Sequence, residues 1–198
     1  DHNNWWQICR VIRQASGAEL HPLEAQSEAE YAAASWQLGQ CSYLLQDDHR
    51  EGGWVALSHC DGMGYLQQYR EGTLQSLATE YSSFRSLTQS GNSLFCVASS
   101  TTCNAALIAI DLMSADVQVI TGGGKILSDA NISKPQHLTF PVQSEDAHAL
   151  FYPPTNVAES ATDVLPPLVV FLHGGPTSAE RRCRAYGLHH RAKWAFAS

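Results

Sequence analysis

The chain has 198 residues, 44% of them hydrophobic and 16% charged, with a formal net charge of −7. That balance suits a globular protein with a sizeable core and sets it apart from a disordered chain, while the acidic excess offers nucleic acid no uniform basic surface. No apolar run approaches the roughly 18 residues that would span a bilayer, and Asp1-His-Asn-Asn-Trp-Trp6 has no initiator methionine, basic region or apolar signal core, so it reads as the middle of a chain.

From the start to about Gly124, short apolar stretches recur between turn residues. Trp5 to Ile12 alternates as a strand does, and Glu19 to Leu23 is its short return after the Ser16-Gly17 turn. Trp5 and Trp6 are expected to pack a sheet, not to form a ligand platform. Four strands follow at Cys41–Leu45, Trp54–Ser58, Gly64–Tyr69 and Thr73–Leu77. A similar four follow at Ser83–Leu87, Leu94–Ala98, Ala106–Ile110 and Val117–Ile120. Trp54 to Leu94, Gly64 to Ala106 and Thr73 to Asp116 are about 40, 42 and 43 residues apart, the repeat of a four-stranded propeller blade. A sandwich or barrel with strands of this length is the competing reading.

The connections fit short antiparallel strands. Asp47–Gly53, Cys60–Gly64, Tyr69–Gly72 and Ser90–Asn92 each place Gly, Asp or Asn between apolar runs. Asp61-Gly62 reads as a hairpin turn, because the carboxylates of a calcium loop are missing after it. Gly122-Gly-Gly-Lys125 lacks the spacing and the following Ser or Thr of a phosphate loop, and is read as a flexible exit into a linker over 125–136. Six cysteines (Cys9, Cys41, Cys60, Cys96, Cys103 and Cys183) show no C-x-x-C spacing and no metal-ligand set. They are expected to be free thiols in a reducing, cytoplasmic setting, and no metal or cofactor is expected.

Past the linker, His137 to Val142 and Ala147 to Tyr152 flank Ser144-Glu-Asp146, a hairpin with one wet face. Pro153-Pro154 ends it, and a polar loop from Thr155 to Asp163 leads to Leu168-Val-Val-Phe-Leu172. That unbroken apolar run predicts a strand buried on both faces, as in a parallel sheet. The chain then turns at His173-Gly-Gly-Pro176. Adjacent glycines leave amide N–H groups uncovered, and a strand ending in His-Gly-Gly is how α/β-hydrolases present half of an oxyanion hole. An ordinary Gly-Pro turn would read the same way.

The runs Ile132-Ser-Lys-Pro-Gln-His-Leu-Thr-Phe-Pro-Val142, Ala147-His-Ala-Leu-Phe-Tyr-Pro-Pro-Thr-Asn156 and Leu165-Pro-Pro-Leu-Val-Val-Phe-Leu-His-Gly-Gly-Pro-Thr-Ser178 together resemble the prolyl oligopeptidase family of serine peptidases. Within it, the resemblance is to the acylaminoacyl-peptidase and dipeptidyl aminopeptidase branch. Asp1-His-Asn-Asn-Trp-Trp-Gln-Ile-Cys-Arg10 is similar to a blade motif of the same family. The resemblance implies a mostly β chain: a partial β-propeller over 1–124, then the first strands of an α/β-hydrolase domain over 137–178. It also implies that the Gly175 N–H helps hold the oxyanion, that Gly174 makes room for the turn, and that His173 braces the loop.

A serine hydrolase also needs a nucleophile, a base and an orienting carboxylate, which in α/β-hydrolases follow this loop in the order Ser, acid, His. No G-x-S-x-G occurs in the sequence, and Ser93 in Gly91-Asn-Ser-Leu-Phe95 lacks the second glycine. The triad is therefore expected to be absent, and the chain as written is not expected to hydrolyse peptides. After Ser178 the composition changes: Arg181 to Lys193 holds five of the twelve Lys and Arg residues. This segment, 179–198, reads either as a basic tail for an acidic partner or as the product of a reading-frame slip.

Three functions compete. The first is part of a serine peptidase that releases acylaminoacyl residues or dipeptides from short peptides, with neither nucleic acid nor membrane as partner. The second is a non-catalytic propeller that binds a partner through its loops. The third is an esterase or lipase, where His-Gly-Gly also occurs without a preceding propeller.

Overall fold

The structure, a computed structural model, describes residues 5–22, 29–32, 38–46, 53–60, 62–125, 128–143, 145–155 and 168–171. These residues form twelve β-strands and one turn of 3-10 helix at Asp129–Asn131, with no α-helix among the described residues. Strands β1 (Cys9–Gln14) and β2 (Gly17–Pro22) make an antiparallel hairpin. Next come β3 (Tyr43–Leu45), β4 (Trp54–Cys60), β5 (Met63–Arg70) and β6 (Thr73–Leu77), hydrogen-bonded in sequence order as one four-stranded sheet. Strands β7 (Ser83–Ser90), β8 (Ser93–Ser99), β9 (Ala106–Asp111) and β10 (Val117–Gly122) form a second sheet of the same order. The last two, β11 (Gln136–Val142) and β12 (Glu145–Phe151), form a separate hairpin.

Two consecutive four-stranded antiparallel meanders are propeller blades, and the strand positions follow the sequence repeat closely. Strand β1 starts later than the alternation suggested, since Trp5 makes only an isolated bridge. The edge of β4 that faces away from β5 is paired by two segments. Strand β3 covers Trp54 to Ala56 of β4, and Glu30 bridges His59 further along it.

The blades hold together by packing face to face. On β8, Leu94, Cys96 and Ala98 are buried, and on β9 so are Ala106, Ile108 and Ile110. These meet Val55, Leu57, Leu66 and Leu77 of the first blade in one core. Each such aliphatic side chain contributes about 1.5–3 kcal/mol on burial. Strand β7 breaks strict alternation, because Phe84 and Leu87 are both buried although three residues apart. A register shift between Arg85 and Thr88, with Ser86 at φ 59°, returns Leu87 to the core face. The backbone also crosses the junction: the Gly64 N–H donates to the Ser82 carbonyl at 2.7 Å.

The other face of the first blade is covered by the N-terminal segment. Ile8, Tyr31, Trp54 and Ala56 form a second buried cluster. Trp54 stacks on Tyr69 at 5.6 Å and meets the edge of Tyr31 at 6.3 Å. Of the two adjacent tryptophans, Trp6 leaves its ring 42% exposed. Its backbone does the packing work, donating to Glu30 Oε1 and accepting from the Tyr31 N–H.

Three expectations change. The Gly122-Gly-Gly-Lys125 run is not a free exit at its start. Gly122 still pairs with Ala106, a Cβ there would lie 2.5 Å from the Ala105 carbonyl oxygen, and the Gly123 N–H donates to that same carbonyl. The β11–β12 hairpin forms with Val142 opposite Glu145, but it has no dry face: Leu138, Phe140 and Val142 are 44%, 45% and 48% exposed. Residues 168–171 adopt no strand, and all four of their apolar side chains are exposed. A strand buried on both faces needs sheet neighbours, and no described residue pairs with this run.

Candidate functional site

His173, Gly174 and Gly175 lie outside the described residues, as do Cys183, His189 and His190. What the structure shows is how the chain is carried from the last blade towards them. After Gly123 it passes through the 3-10 turn to Ile132 and Ser133, which are 4% and 2% exposed. The Ser133 hydroxyl donates to the Pro153 carbonyl at 2.6 Å. The entry to the hairpin is thereby tied to its exit, which fixes where the segment after Pro153 departs.

On the hairpin, His137 and His148 stack with ring centroids 5.2 Å apart and planes 12° from parallel. Cross-strand register explains this, since Thr139 lies opposite His148 and His137 is two residues earlier on the same face. Thr139 Oγ1 lies 3.3 Å from His148 Nδ1. The apolar residues Leu138, Phe140 and Val142 occupy the opposite face with Ala147, Ala149 and Phe151.

The ionisable groups with shifted pKa values serve the fold. Asp111 accepts the Ser114 and Met113 backbone N–H groups at 2.9 and 2.8 Å, and these bonds hold its carboxyl below the usual carboxylate range. It closes the β9–β10 turn. Burial pushes the Cys96 thiol up to about 12, so it is an inert core group. Burial likewise raises the Tyr31 phenol, which donates to Gln67 Oε1 at 2.9 Å. The described cysteines are free thiols. No group of three metal-ligating side chains occurs among the described residues. Ser93, set aside for want of a second glycine, opens β8 opposite Asp111 and Ser90.

One feature escaped the sequence reading. Where the inter-blade core approaches the ends of the strands, its lining turns from leucine to glutamine. Gln46, Gln68 and Gln89, with Arg70, Glu71 and Asn92, face a cleft of ≈ 270 Å³ between the blades. The signal was present: each glutamine stands two residues after a leucine, at Leu44, Leu66 and Leu87.

No family model matches the chain, and neither does any curated protein. Solved structures do match. A Mycobacterium tuberculosis puromycin-hydrolyzing peptidase superposes with a TM-score of 0.83 at 26% identity, covering 97% of this chain and 30% of that one. Puromycin hydrolase matches with a TM-score of 0.83 at 25% identity, over 97% of this chain and 29% of that one. A serine-to-alanine mutant of puromycin hydrolase complexed with PGG gives 0.82 at 26% identity, with coverage of 97% and 29%. The chain thus spans under a third of the length of the structures it matches. Two propeller blades, a following hairpin and this likeness over nearly its whole length make the chain similar to a portion of these puromycin-hydrolyzing peptidases, consistent with a fragment of the prolyl oligopeptidase family.

Proposed function

We propose that this chain supplies propeller blades (1–124), a linker (125–136) and the opening of the hydrolase domain (137–178) to a serine peptidase that acts on short peptides from their N-termini, releasing acylaminoacyl residues or dipeptides. The observation that carries the reading is the match of 97% of the chain, blades and hairpin together, to puromycin-hydrolyzing peptidases at 25–26% identity. A propeller alone would account for the blades and leave the hairpin and His173-Gly-Gly-Pro176 without a purpose. An esterase would account for the latter and leave the blades without one.

In this reading the Gly175 N–H donates to the oxyanion of the tetrahedral intermediate, Gly174 leaves the backbone free to turn, and His173 braces the loop. Such a donor contributes about 3–4 kcal/mol to the transition state. The nucleophile, base and acid follow in the longer protein, so the 198-residue chain alone is inactive. Its surroundings are cytoplasmic, with short peptides as substrates.

Sequencing the coding DNA past the Ser178 codon and translating all three frames tests the proposal. It expects one frame to supply a helix and a G-x-S-x-G. A protein translated through that frame is expected to hydrolyse acetyl-alanyl or dialanyl p-nitroanilide, and Gly175→Pro, which removes the N–H, to lower kcat about 100- to 1,000-fold. Absence of the motif in every frame would overturn the peptidase reading.

A further inference from the structure

We propose that the β11–β12 hairpin carries a site for a divalent metal ion of the zinc type, held by the imidazoles of His137 and His148. The ion bridges the two strands and holds together a hairpin that has no core of its own. The proposal stands apart from the peptidase reading, since it uses no residue of the His173–Gly175 loop.

Three observations build the site. First, register brings the two rings together from different strands. His137 pairs with Leu150 and His148 with Thr139, so both imidazoles stand on one face as diagonal neighbours. Their ring centroids are 5.2 Å apart. Two imidazoles sharing one tetrahedral zinc ion, each with its nitrogen about 2.0–2.1 Å from the metal, place their ring centres roughly 5 Å apart. The separation already matches. The planes are 12° from parallel, so each ring has to turn about its χ2 bond to point a nitrogen at the shared ion, and for histidine that torsion is soft.

Second, the nitrogens of the His148 ring are divided between a support and an open position. Thr139 Oγ1 lies 3.3 Å from His148 Nδ1. When the hydroxyl accepts the Nδ1 proton, the lone pair of the neutral ring sits at Nε2, which is how a ligating histidine is oriented. Among the described residues, no hydrogen bond or ion pair occupies His148 Nε2 or either nitrogen of His137. Both residues are exposed, so an ion reaches them with its waters.

Third, the surroundings select the kind of ion. Among the described residues, no third His, Cys, Asp or Glu completes a group with this pair, so water fills the remaining positions. Calcium and magnesium require several oxygen ligands, whereas imidazole suits zinc, copper and nickel. Asp146 lies further along the same face, opposite Pro141. On the other face Leu138, Phe140 and Val142 are about half exposed, so burial does little to hold the strands together. A chelate across the strands adds its binding free energy to the paired state alone.

The test is a titration of the full chain with ZnCl2, followed through the imidazole NMR signals of His137 and His148 and through amide hydrogen exchange of β11 and β12. Every sample carries His189→Gln and His190→Gln, which removes the adjacent pair in the tail as a competing ligand. MgCl2 is the control. The proposal expects saturable shifts of both rings at one zinc per chain, slower exchange across the hairpin, and neither effect with magnesium. His137→Gln and His148→Gln, both at exposed positions, should each abolish the shift of the remaining ring and the slowing. Thr139→Val, which keeps a β-branched residue in the strand, should weaken binding about tenfold. No saturable shift with zinc, equal shifts with magnesium, or slowed exchange that survives His148→Gln would each overturn the proposal.

Discussion

The junction between the blades and the hairpin that follows them are built from the same kinds of residue, yet they end in opposite environments. Leu94, Ile108 and Ile110 on the second blade are fully buried, while Leu138, Phe140 and Val142 on the hairpin are about half exposed. Both regions alternate in sequence. What separates them is a partner: the second blade meets the first across Leu66 and Leu77, whereas among the described residues nothing covers the apolar face of the hairpin. Alternation in a sequence states that a face expects cover. It does not state where the cover comes from.

Truncating a buried side chain at the blade junction should produce the largest effect. Ile108→Ala is expected to cost about 2–5 kcal/mol in urea unfolding, and a loss below 1 kcal/mol would mean that the blades do not pack as described. Ser133→Ala comes next. It removes the hydroxyl that ties the linker to the Pro153 carbonyl, and about 1 kcal/mol should be lost, with faster hydrogen exchange confined to the hairpin. Phe140→Ala should be smaller still in this chain, within about 0.5–1 kcal/mol, because a half-exposed ring leaves little burial to lose. In a longer protein that covers the hairpin, the same substitution should approach the cost at Ile108, which makes Phe140 a direct reporter of that cover.

The cysteines sharpen the contrast through chemistry. Cys96 sits in the junction with its thiol pushed up to about 12, while Cys41 is exposed. A disulfide reagent at pH 8 should modify Cys41 in the native protein and reach Cys96 only after unfolding. The buried thiol also sets a sign for pH. Its folded pKa is raised, so its contribution to stability is complete below the ordinary thiol range and is lost as pH climbs from about 9 towards about 12. Equal reactivity of Cys96 and Cys41 in the native state would contradict the packing of the junction.

Most of the strand order was legible in the sequence, because each blade carries its own evidence: an apolar alternation, a turn residue and a repeat. Thr73–Leu77 is found where it was read. The β7 bulge was not legible, since placing Phe84 and Leu87 on one face requires Ser86 in the left-handed region, and no residue preference announces that at a serine. The clamp on Gly122 also required coordinates, because the Ala105 carbonyl that excludes a side chain belongs to the connection before β9. The unbroken apolar run Leu168–Leu172 looks doubly buried in the sequence, but an apolar run cannot supply sheet neighbours, and its described part, 168–171, has none. The glutamines of the cleft could have been found by counting two residues on from Leu44, Leu66 and Leu87, but only with the knowledge that these three strands converge.

Native-state hydrogen exchange across the whole chain tests most directly whether the blades stand by themselves while the hairpin awaits cover. The account predicts that amides of β4, β5, β8 and β9 exchange only through global unfolding, and that those of β11 and β12 exchange through far smaller openings. Equal protection of the hairpin and the blade junction would contradict it.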